Sequence, residues 1–480
     1  EQSGLRFTHQ ENLFNEFDRE ALMPKMLSTE GPALAVADIN HDGLEDIFFG
    51  GAKTIAGQVW MQQPNGKFVR MPEPALQADS MWEHVDAQWA DLNADTHLDL
   101  VIATGGNEYF GNDPHLQPLL YLNDGTGRLT KKENAFGNVY ATQSKILVQD
   151  FTGDGIPDLF VAGRAVPWQY GITPRSYLLQ NNGQAQFNDV TAQWCPALQS
   201  PGMVTDALFT DLNKDKRPDL VLCYEWSGID AFYNEGKGFR QTNINPAAGW
   251  WQCLYATDAD NDGDIDFIAG NYGLNNRLKA SEKEPVKLYV NDFDGNGRTE
   301  QVMTYYLKGQ EIPFASKLQL EKQMPSQKKK FLYAEAFAKA SIEEMFGKDK
   351  LNQSKQWQAN YFTNSILIND GKGKFALNPL PPLAQLSSIR CVMQTDANGD
   401  NLPDYLVLGN FTEYHVELGR QDANYGTFLI NRGNGEFVAE VVNGALLDGE
   451  VRRISSIQVN NRKAFVLARN NGNAQIISLE

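Results

Sequence analysis

Acidic side chains recur at short, regular intervals between Asp258 and Asp266 in the order D-x-D-x-D-G-x-x-D, with Gly263 at position 6. A hard cation needs several oxygen ligands that converge from a short loop, and glycine can take the positive φ at which the chain turns around the ion. Calcium accepts about six to eight oxygens at irregular angles, whereas zinc would require the His or Cys that this stretch lacks. The stretch therefore predicts a calcium loop, with the backbone carbonyl of Asp264 as a further ligand.

The same nonamer occurs seven times along the chain, which predicts up to seven calcium ions. Its predicted ligands are the side chains at positions 1, 3, 5 and 9 and the backbone carbonyl at position 7. These positions are Asp38, Asn40, Asp42, Leu44 and Asp46; Asp91, Asn93, Asp95, His97 and Asp99; Asp150, Thr152, Asp154, Ile156 and Asp158; Asp211, Asn213, Asp215, Arg217 and Asp219; Asp258, Asp260, Asp262, Asp264 and Asp266; Asp292, Asp294, Asn296, Arg298 and Glu300; and Asp396, Asn398, Asp400, Leu402 and Asp404.

Position 6 is glycine in four copies and Asn401 in a fifth, but it is Thr96 in the second copy and Lys216 in the fourth. A side chain at positive φ strains the backbone. We therefore expect the second and fourth loops to bind calcium least well.

The net charge is −18, and twenty-two of the sixty acidic residues stand at the predicted ligand positions. Seven bound calcium ions would bring the net charge to about −4. The acidic excess is thus explained by the loops and does not require a basic partner, and nucleic acid is excluded as an expected ligand. Extracellular calcium modules commonly bind the ion with millimolar affinity, so we expect an extracellular protein, secreted or at the cell surface, with the periplasm or outer-membrane attachment as alternatives.

No apolar run of eighteen residues occurs, so membrane insertion is not expected. The chain begins at Glu1 without Met, and both a processed chain and a piece of a longer protein fit this start. Cys223, Cys253 and Cys391 lie in apolar strand patterns, which favours buried free thiols. The sequence around Cys195 does not predict where that thiol lies.

Each acidic loop is preceded by an apolar strand and followed by a second one, and a third strand, a tight Gly turn and a short fourth strand often come next. The first strands are predicted at residues 33–37, 85–90, 145–149, 207–210, 252–257 and 390–395. Four antiparallel strands every fifty to sixty residues, over a length too great for a sandwich, are typical of propeller blades. The sequence therefore predicts an all-β propeller that occupies residues 1–480 as one domain.

The strand pattern stops between residues 309 and 358, where helical patterns predict an insertion, with the best stripe at residues 331–346. Residues 286–307 either form a blade of their own or belong to an insertion in the fifth blade. The first reading gives eight blades and the second gives seven, which we favour. In both readings, residues 451–479 form a last blade without a calcium loop, completed by the strand near Phe7.

The repeated loops and residues 48–53 resemble the FG-GAP/VCBS repeats of integrin α-chain propellers. Residues 30–35, 270–275 and 419–422, with the helical insertion, are more similar to bacterial secreted VCBS proteins related to cartilage acidic protein, which are often joined to an ASPIC/UnbV segment. The resemblance covers nearly the whole chain, although the ASPIC/UnbV segment itself is not visible. It implies a calcium-loaded extracellular propeller, commonly surface-attached, and no settled activity.

Loops that follow the second strands should emerge at the end opposite the calcium loops, and they are rich in aromatic, amide and charged residues. Such a surface suits a glycan or protein ligand, since aromatic planes supply contact area and polar groups fix orientation. We expect about half of these aromatic rings to pack between blades instead. The predicted ligand-binding residues are Asn107, Glu108, Tyr109, Arg164, Trp168, Tyr170, Glu225, Trp226, Trp250, Asn271, Tyr272, Arg277 and Tyr414.

A binding, adhesion or scaffolding module is therefore the favoured function, and a calcium-dependent polysaccharide lyase or glycosidase on the same scaffold is the alternative. No nucleophile, metalloprotease, P-loop or dinucleotide motif is present. Outside the calcium loops, an enzyme would have to draw its acids and bases from Glu83, Glu108, Glu225, Glu413, His84 and His415. No catalytic residue is predicted.

Overall fold

The structure, a computed structural model, describes residues 3–444 and 446–478. Within these residues, thirty strands form eight sheets, and in seven of them, sheets 1–7, the strands follow one another across the sheet in chain order. The strands of sheets 1–7 are Leu34–Ala37, Asp46–Phe49, Gln58–Gln62 and Phe68–Met71; His84–Ala90, Asp99–Thr104, Leu119–Asn123 and Leu129–Lys131; Thr142–Gln149, Asp158–Ala165, Tyr177–Asn181 and Phe187–Asp189; Met203–Thr210, Asp219–Asn234 and Phe239–Trp250; Cys253–Thr257, Asp266–Gly270, Ser365–Asn369 and Phe375–Pro379; Ile389–Thr395, Asp404–Gly409, Thr427–Asn431 and Phe437–Val441; and Glu450–Val459, Arg462–Asn470 and Gln475–Ile477.

The first strands of sheets 1–7 lie side by side in chain order around a closed cycle. Each contacts the first strand of the next sheet, and Glu450–Val459 of sheet 7 contacts Leu34–Ala37 of sheet 1. Neighbouring strands within each sheet are antiparallel. A closed cycle of antiparallel meanders is the architecture of a β-propeller, so the predicted all-β propeller fold is confirmed.

The N-terminal segment completes sheet 7. Ala474 donates its N–H to the carbonyl of Phe7 at 3.0 Å, and the buried Phe7 ring stacks on Phe49 of sheet 1 with 4.3 Å between centroids. The sequence analysis predicted a last blade at residues 451–479 completed by the strand near Phe7, and residue 479 lies outside the described residues. Pairing both parts of the chain in one sheet removes an exposed sheet edge.

The strand Asp219–Asn234 of sheet 4 folds back on itself. The N–H of Asn234 donates to the Asp219 carboxylate at 2.7 Å, although the two residues are fifteen positions apart. A straight strand of that length would separate them by about 50 Å. The strand therefore contains both the second and the third strand of a regular sheet, and it bends at Trp226, where φ is 70°.

A long insertion separates the second strand of sheet 5 from its third. It contains a sheet of its own and five short helices, and the helices fall within the predicted range 309–358. Its strands are Val286–Asn291, Glu300–Leu307, Gln310–Pro313 and Lys355–Ala359, and its helices are Lys317–Gln323, Ser326–Lys330, Ala334–Lys339, Ile342–Phe346 and Lys348–Gln353. The acidic loop at residues 292–300 joins two strands of this insertion sheet and is therefore not part of sheets 1–7.

The single helical stripe predicted for residues 331–346 is wrong, because two helices cover this range. Ser341 interrupts the helical run: its hydroxyl oxygen accepts the N–H of Glu344 at 3.2 Å, and the Glu344 carboxylate accepts the N–H of Ser341 at 2.7 Å. This reciprocal cap starts a new helix. Phe346 still packs in the core of the insertion, as the stripe predicted.

The other helices are short connections between strands. They are the α-helices Pro74–Ala78 and Thr191–Trp194 and the 3-10 turns Glu16–Asp18, Pro114–Leu116, Pro196–Gln199 and Pro382–Gln385. Within the described part of the chain, no helix combines the length and the apolar character needed to cross a lipid bilayer.

All four cysteines are buried and free. This confirms the prediction for Cys223, Cys253 and Cys391 and places Cys195 in the interior as well. Burial raises the pKa of the Cys195 thiol to about 11, so these thiols remain protonated at neutral pH.

The carboxylate at position 9 of each acidic loop in sheets 1–6 is buried and accepts backbone N–H groups from two directions. In sheet 2, one oxygen of Asp99 accepts the N–H of Leu92 in its own loop at 3.1 Å, and the other accepts the N–H of Asn123 on the third strand at 3.0 Å. The same pair of bonds occurs at Asp46, Asp158, Asp219, Asp266 and Asp404. Position 9 therefore ties the loop to the third strand of its sheet.

The residue that ends the third strand links neighbouring sheets. In four sheets it is an asparagine whose side-chain amide donates to a backbone carbonyl in the acidic loop of the preceding sheet. These pairs are Asn123 with Ile39, Asn181 with Leu92, Asn234 with Phe151 and Asn431 with Ala259, at 2.8 to 2.9 Å. The acidic loops are thus bonded both within a sheet and to the next sheet around the ring.

We predict that Asn181→Ala lowers the free energy of unfolding by about 1 to 3 kcal/mol, because it removes the buried side-chain amide that donates to the carbonyls of Leu92 and Pro157. Urea unfolding in saturating calcium measures this change. Asn182→Ala, at the exposed neighbouring position, is the matched control and should change the stability by less than about 0.5 kcal/mol. Equal stability of the two variants would show that the amide does not link the sheets.

Candidate functional site

The seven acidic loops share one hydrogen-bond pattern. The N–H at position 6 donates to the carboxylate at position 1, and the N–H at position 7 donates to the side chain at position 5. In the fifth loop, Gly263 donates to Asp258 at 2.9 Å and Asp264 donates to Asp262 at 2.8 Å. The chain therefore wraps around the side chains at positions 1 and 5, and the loops fold alike despite their different sequences.

The backbone of these loops takes positive φ at two positions. Position 6 has positive φ in every loop, as predicted, including Thr96 at 75° and Lys216 at 68°. Position 4 also has positive φ, for example at His41 and Ala94, which the sequence analysis did not predict. A non-glycine residue at positive φ costs about 1 to 2 kcal/mol. The expected strain in the second and fourth loops is therefore present, and their lower affinity for calcium remains a prediction.

Three acidic side chains converge in two of the loops. The carboxylate oxygens of Asp258, Asp260 and Asp262 lie within 4.8 Å of one another, and so do those of Asp292, Asp294 and Glu300. In the other five loops position 3 is asparagine or threonine, and the three acidic side chains stand at positions 1, 5 and 9. These donor sets consist of oxygen alone and fit calcium.

Burial raises the pKa of the Asp46, Asp99, Asp158 and Asp266 carboxyls, although their hydrogen bonds act to lower it. The pKa of Asp46 rises to about 7, and those of Asp99, Asp158 and Asp266 rise to about 6. The neighbouring loop carboxylates add a smaller upward effect on the pKa, and a bound cation would reduce the repulsion among them.

We predict that removal of calcium with EDTA lowers the melting temperature, because the clustered carboxylates then repel one another. Asp260→Ala should lower the calcium content by one ion and lower the melting temperature by less than EDTA does. Metal analysis and calorimetry measure both effects, and Asp422→Ala, at an exposed position outside the loops, is the control. An unchanged melt after verified chelation would contradict a structural role for calcium.

The face opposite the acidic loops of sheets 1–6 is covered by residues 16–30, here named the strap. The N–H of Met26 donates to the carbonyl of Glu413 at 3.0 Å, and the N–H of Leu22 donates to Gln323 of the insertion at 3.0 Å. Nearly all strap residues from 20 to 30 are buried. The strap therefore fills the space between the loops that follow the second strands.

Four charged side chains meet under the strap. Arg164 bonds to Glu30 at 3.0 Å and to Glu225 at 2.5 Å, and Lys25 lies 3.4 Å from Glu225. Burial acts to raise the pKa of Glu30, but the Arg164 and Lys25 charges outweigh it and hold the pKa at about 2. Burial lowers the pKa of Lys25 to about 8. Two positive and two negative charges thus balance in the interior and hold the strap on the ring.

The predicted ring of exposed ligand-binding residues is wrong for nine of its thirteen members, whose side chains have almost no exposed surface. The aromatic ones pack with Met23 and Leu27 of the strap in one core cluster. A buried side chain cannot contact a ligand, and its loss would destabilise the fold. The nine residues are Asn107, Arg164, Tyr170, Glu225, Trp226, Trp250, Asn271, Tyr272 and Tyr414.

The other four predicted residues reach the surface. Glu108 pairs with Lys53, and Tyr109 stacks on the His115 ring. Arg277 donates to the carbonyl of Glu417 at 2.9 Å. Trp168 alone of these four lines a cleft of substantial volume.

This cleft has a volume of about 740 Å³ and lies between sheets 2 and 3, the strap and the insertion. Residues 296–300 of the insertion's acidic loop form one wall. Phe110, which the sequence analysis missed although it directly follows the predicted Tyr109, is 57% exposed, and Trp168 is 40% exposed. The aromatic and charged residues at the cleft are Phe110, Tyr140, Trp168, Arg19, Arg175, Arg298, Lys322, Glu20 and Glu300.

Asn107 positions the aromatic side of the cleft. Its side-chain carbonyl accepts the N–H of Trp168 at 2.9 Å, and its amide donates to Glu16 at 2.7 Å. Trp168 has φ of 65°, a strained conformation that surrounding bonds must maintain. Asn107 was predicted as a ligand-binding residue, and the structure gives it this positioning contact instead.

None of the acids and bases proposed for the enzymatic alternative lines the cleft. The two acids that do line it already have partners. Glu20 accepts hydrogen bonds from Arg19, Asn107 and Gln301, and Glu300 accepts the N–H of Phe293 at 2.7 Å. Among the described residues, the cleft therefore offers no free pair of carboxyls for glycoside chemistry.

We predict that Trp226→Ala lowers the free energy of unfolding by about 3 to 5 kcal/mol, because the ring is buried in the core under the strap. Trp168→Ala, the matched change at an exposed ring, should cost less than about 1 kcal/mol. Denaturant unfolding with calcium present measures both values. Similar losses in the two variants would contradict the burial of Trp226.

Family comparison agrees with the repeat architecture. A model described as "FG-GAP-like repeat" matches residues 38–102, 91–161, 150–222 and 211–269. Each match runs from one acidic loop into the second strand of the following sheet. The chain therefore carries FG-GAP-like repeats from residue 38 to residue 269, and the acidic loops at 292–300 and 396–404 lie beyond the matched part.

Two solved structures are similar to the chain at low identity. One is the crystal structure of the V. cholerae biofilm matrix protein Bap1, with 10% identity, a TM-score of 0.40, and coverage of 100% of this chain and 91% of that chain. The other is the Dos1 propeller, with 10% identity, a TM-score of 0.41, and coverage of 100% and 95%. No curated protein matches the chain by sequence. These likenesses are too distant to indicate a ligand or an activity.

Proposed function

We propose that the protein is an extracellular calcium-binding β-propeller that holds a glycan or protein ligand as a binding, adhesion or scaffolding module. The observation that carries this proposal is the cleft beside Trp168. It combines exposed aromatic rings with charged groups on a rigid scaffold, which is the composition of a recognition site. Its acids are already bonded, and this favours binding over hydrolysis.

We also infer seven blades. Sheets 1–7 supply the first strands that follow one another around the ring, and the first strands of sheets 5 and 6 contact each other directly. An eighth blade would have to separate those two strands. The insertion sheet instead lies between the second and third strands of sheet 5.

The calcium proposal is supported by the common fold of the seven loops and by the two groups of three converging carboxylates. The residues that would hold the ions are those at positions 1, 3, 5, 7 and 9. Bound calcium would reduce the negative charge of the loops, while the backbone N–H groups at positions 6 and 7 hold the side chains at positions 1 and 5 in place.

The extracellular location is supported by the number of calcium loops, since calcium is abundant outside cells. The resemblance of residues 30–35, 270–275 and 419–422 to bacterial secreted VCBS proteins related to cartilage acidic protein points to the same location. Attachment to a cell surface and membership in a longer chain are part of the same proposal.

Binding to arrays of surface glycans and extracellular proteins, with calcium present, tests the proposed function. We expect Trp168→Ala to weaken binding by about 1 to 3 kcal/mol, the range of a moderate hot spot, with the melting temperature nearly unchanged. Tyr425→Ala removes a comparably exposed ring, 51% exposed, from a loop of sheet 6 and should leave binding unchanged. Equal binding by wild type and Trp168→Ala would overturn the assignment of the cleft.

A further inference from the structure

We propose that the ligand of the Trp168 cleft is an acidic saccharide chain, and that the acidic loop at residues 292–300 is the calcium loop on which its binding depends. This inference rests on the proposed function and narrows it. It is carried by three features of the cleft: a stack of aromatic and guanidinium groups, a set of accessible cations, and a wall made by the insertion loop.

The stack lies on the side of the cleft formed by sheets 2 and 3. The rings of Phe110 and Trp168 lie 4.1 Å apart between centroids, and the Arg19 guanidinium lies 4.8 Å from the Trp168 centroid. Arg19 is itself held by the carbonyl of Asn107 at 2.8 Å. The two rings are tilted by 34° to each other, and their exposed surfaces can contact the C–H face of a sugar ring.

Cations stand around these rings. Arg298 is exposed and has no ion pair among the described residues. The half-exposed Lys322 pairs with the more exposed Asp18 at 3.0 Å and donates to the carbonyl of Phe17 at 3.1 Å. An exposed ion pair contributes little, so the ammonium group can exchange Asp18 for a ligand acid. Both cations belong to the insertion.

The insertion also differs in charge from the rest of the protein. Its helices, from Lys317 to Gln353, carry eight lysines and five acidic residues, whereas the whole chain has a net charge of −18. A positive segment on an acidic protein attracts an anionic ligand to its own side of the molecule. Carboxylate and sulfate groups on a saccharide both supply the negative charge that this segment attracts.

An acidic peptide would match the positive charge at the cleft but would not match the shape of the cleft. Peptides commonly add to an exposed strand edge or place side chains in apolar pockets. The cleft is lined by loop residues on sheets 2 and 3, and its aromatic rings are exposed rather than recessed. The observations therefore favour a saccharide.

The wall at residues 296–300 links the cleft to calcium. The loop contains the converging carboxylates of Asp292, Asp294 and Glu300. It is the single acidic loop that lines this cleft, since the others join the first and second strands of sheets 1–6 at the opposite face. Calcium in this loop would fix the position of Arg298, which is the residue at position 7.

The saccharide class is tested by titrating wild type with three probes of equal length in saturating calcium: oligogalacturonate, a sulfated dextran oligosaccharide and neutral dextran. We expect both acidic probes to bind at least tenfold more tightly than dextran. The double variant Arg298→Ala, Lys322→Ala should lose at least tenfold for the acidic probes. The control Lys372→Ala, Lys374→Ala, at exposed positions of sheet 5 beside its calcium loop, should bind as wild type does.

Equal binding of dextran and the acidic probes, still lost in Trp168→Ala, would overturn the acidic class and leave the proposed function standing. Tighter binding of oligoglutamate than of the acidic sugars would overturn the saccharide in favour of a peptide. Binding that is indifferent to Trp168→Ala would overturn both the inference and the site on which it rests.

The calcium part is tested with the sulfated probe, because uronate chains bind calcium themselves. Asp294→Ala should weaken its binding at least tenfold, whereas Asp260→Ala, the same change at position 3 in a loop of the opposite face, should not. Metal analysis of both variants must show the loss of one ion each. Equal binding by the two variants would overturn the role assigned to the 292–300 loop.

Discussion

One buried carboxylate in each of six sheets is the interaction on which the acidic-loop face of the propeller depends. At position 9 of the loop it accepts N–H groups from the loop and from the third strand, so it connects segments that are up to 103 residues apart in sheet 5. A buried carboxylate without such donors would be strongly destabilising. The third strand must therefore be in place for the loop to hold its shape. In four sheets, the asparagine that ends this strand then bonds to the loop of the preceding sheet and joins neighbouring meanders.

The fold of the acidic loops could be predicted from the sequence because its information is local. Each nonamer contains its own donors, acceptors and turning residues, and the hydrogen bonds within a nonamer join positions at most seven apart. The first, second and third strands followed from the same repeat. The repeat did not indicate the hydrogen-bond partner of the asparagine that ends the third strand. In the sequence it reads as the start of a Gly turn such as Asn181 to Gly183, and that turn does form. Its second bond reaches a residue 89 positions earlier, which no local pattern specifies.

The exposure of the opposite face could not be predicted residue by residue, because it is decided by a distant segment. Trp168 and Trp226 occur in similar contexts after second strands, and both take positive φ. Trp226 is buried in the core cluster with Met23 and Leu27 of the strap, whereas Trp168, over which Arg19 of the strap lies, remains 40% exposed. The strap has too few apolar residues in a regular period to be recognised as a core element. Its Glu30 and Lys25 become interpretable only when Arg164 and Glu225 are placed beside them. The accessible residues of this face are therefore those that neither the strap nor the insertion covers.

The position of the strap also has a consequence for the order of folding. The strap precedes every sheet in the chain, yet its contacts lie in sheets 2, 3, 4, 6 and 7 and in the insertion, at separations of up to about four hundred residues. Closing such loops is entropically unfavourable until the partners are already assembled. A ring without its strap would expose Trp250, Tyr272 and Arg164 to water. The docking of the strap is then the last step of folding, and it follows the formation of the seventh sheet.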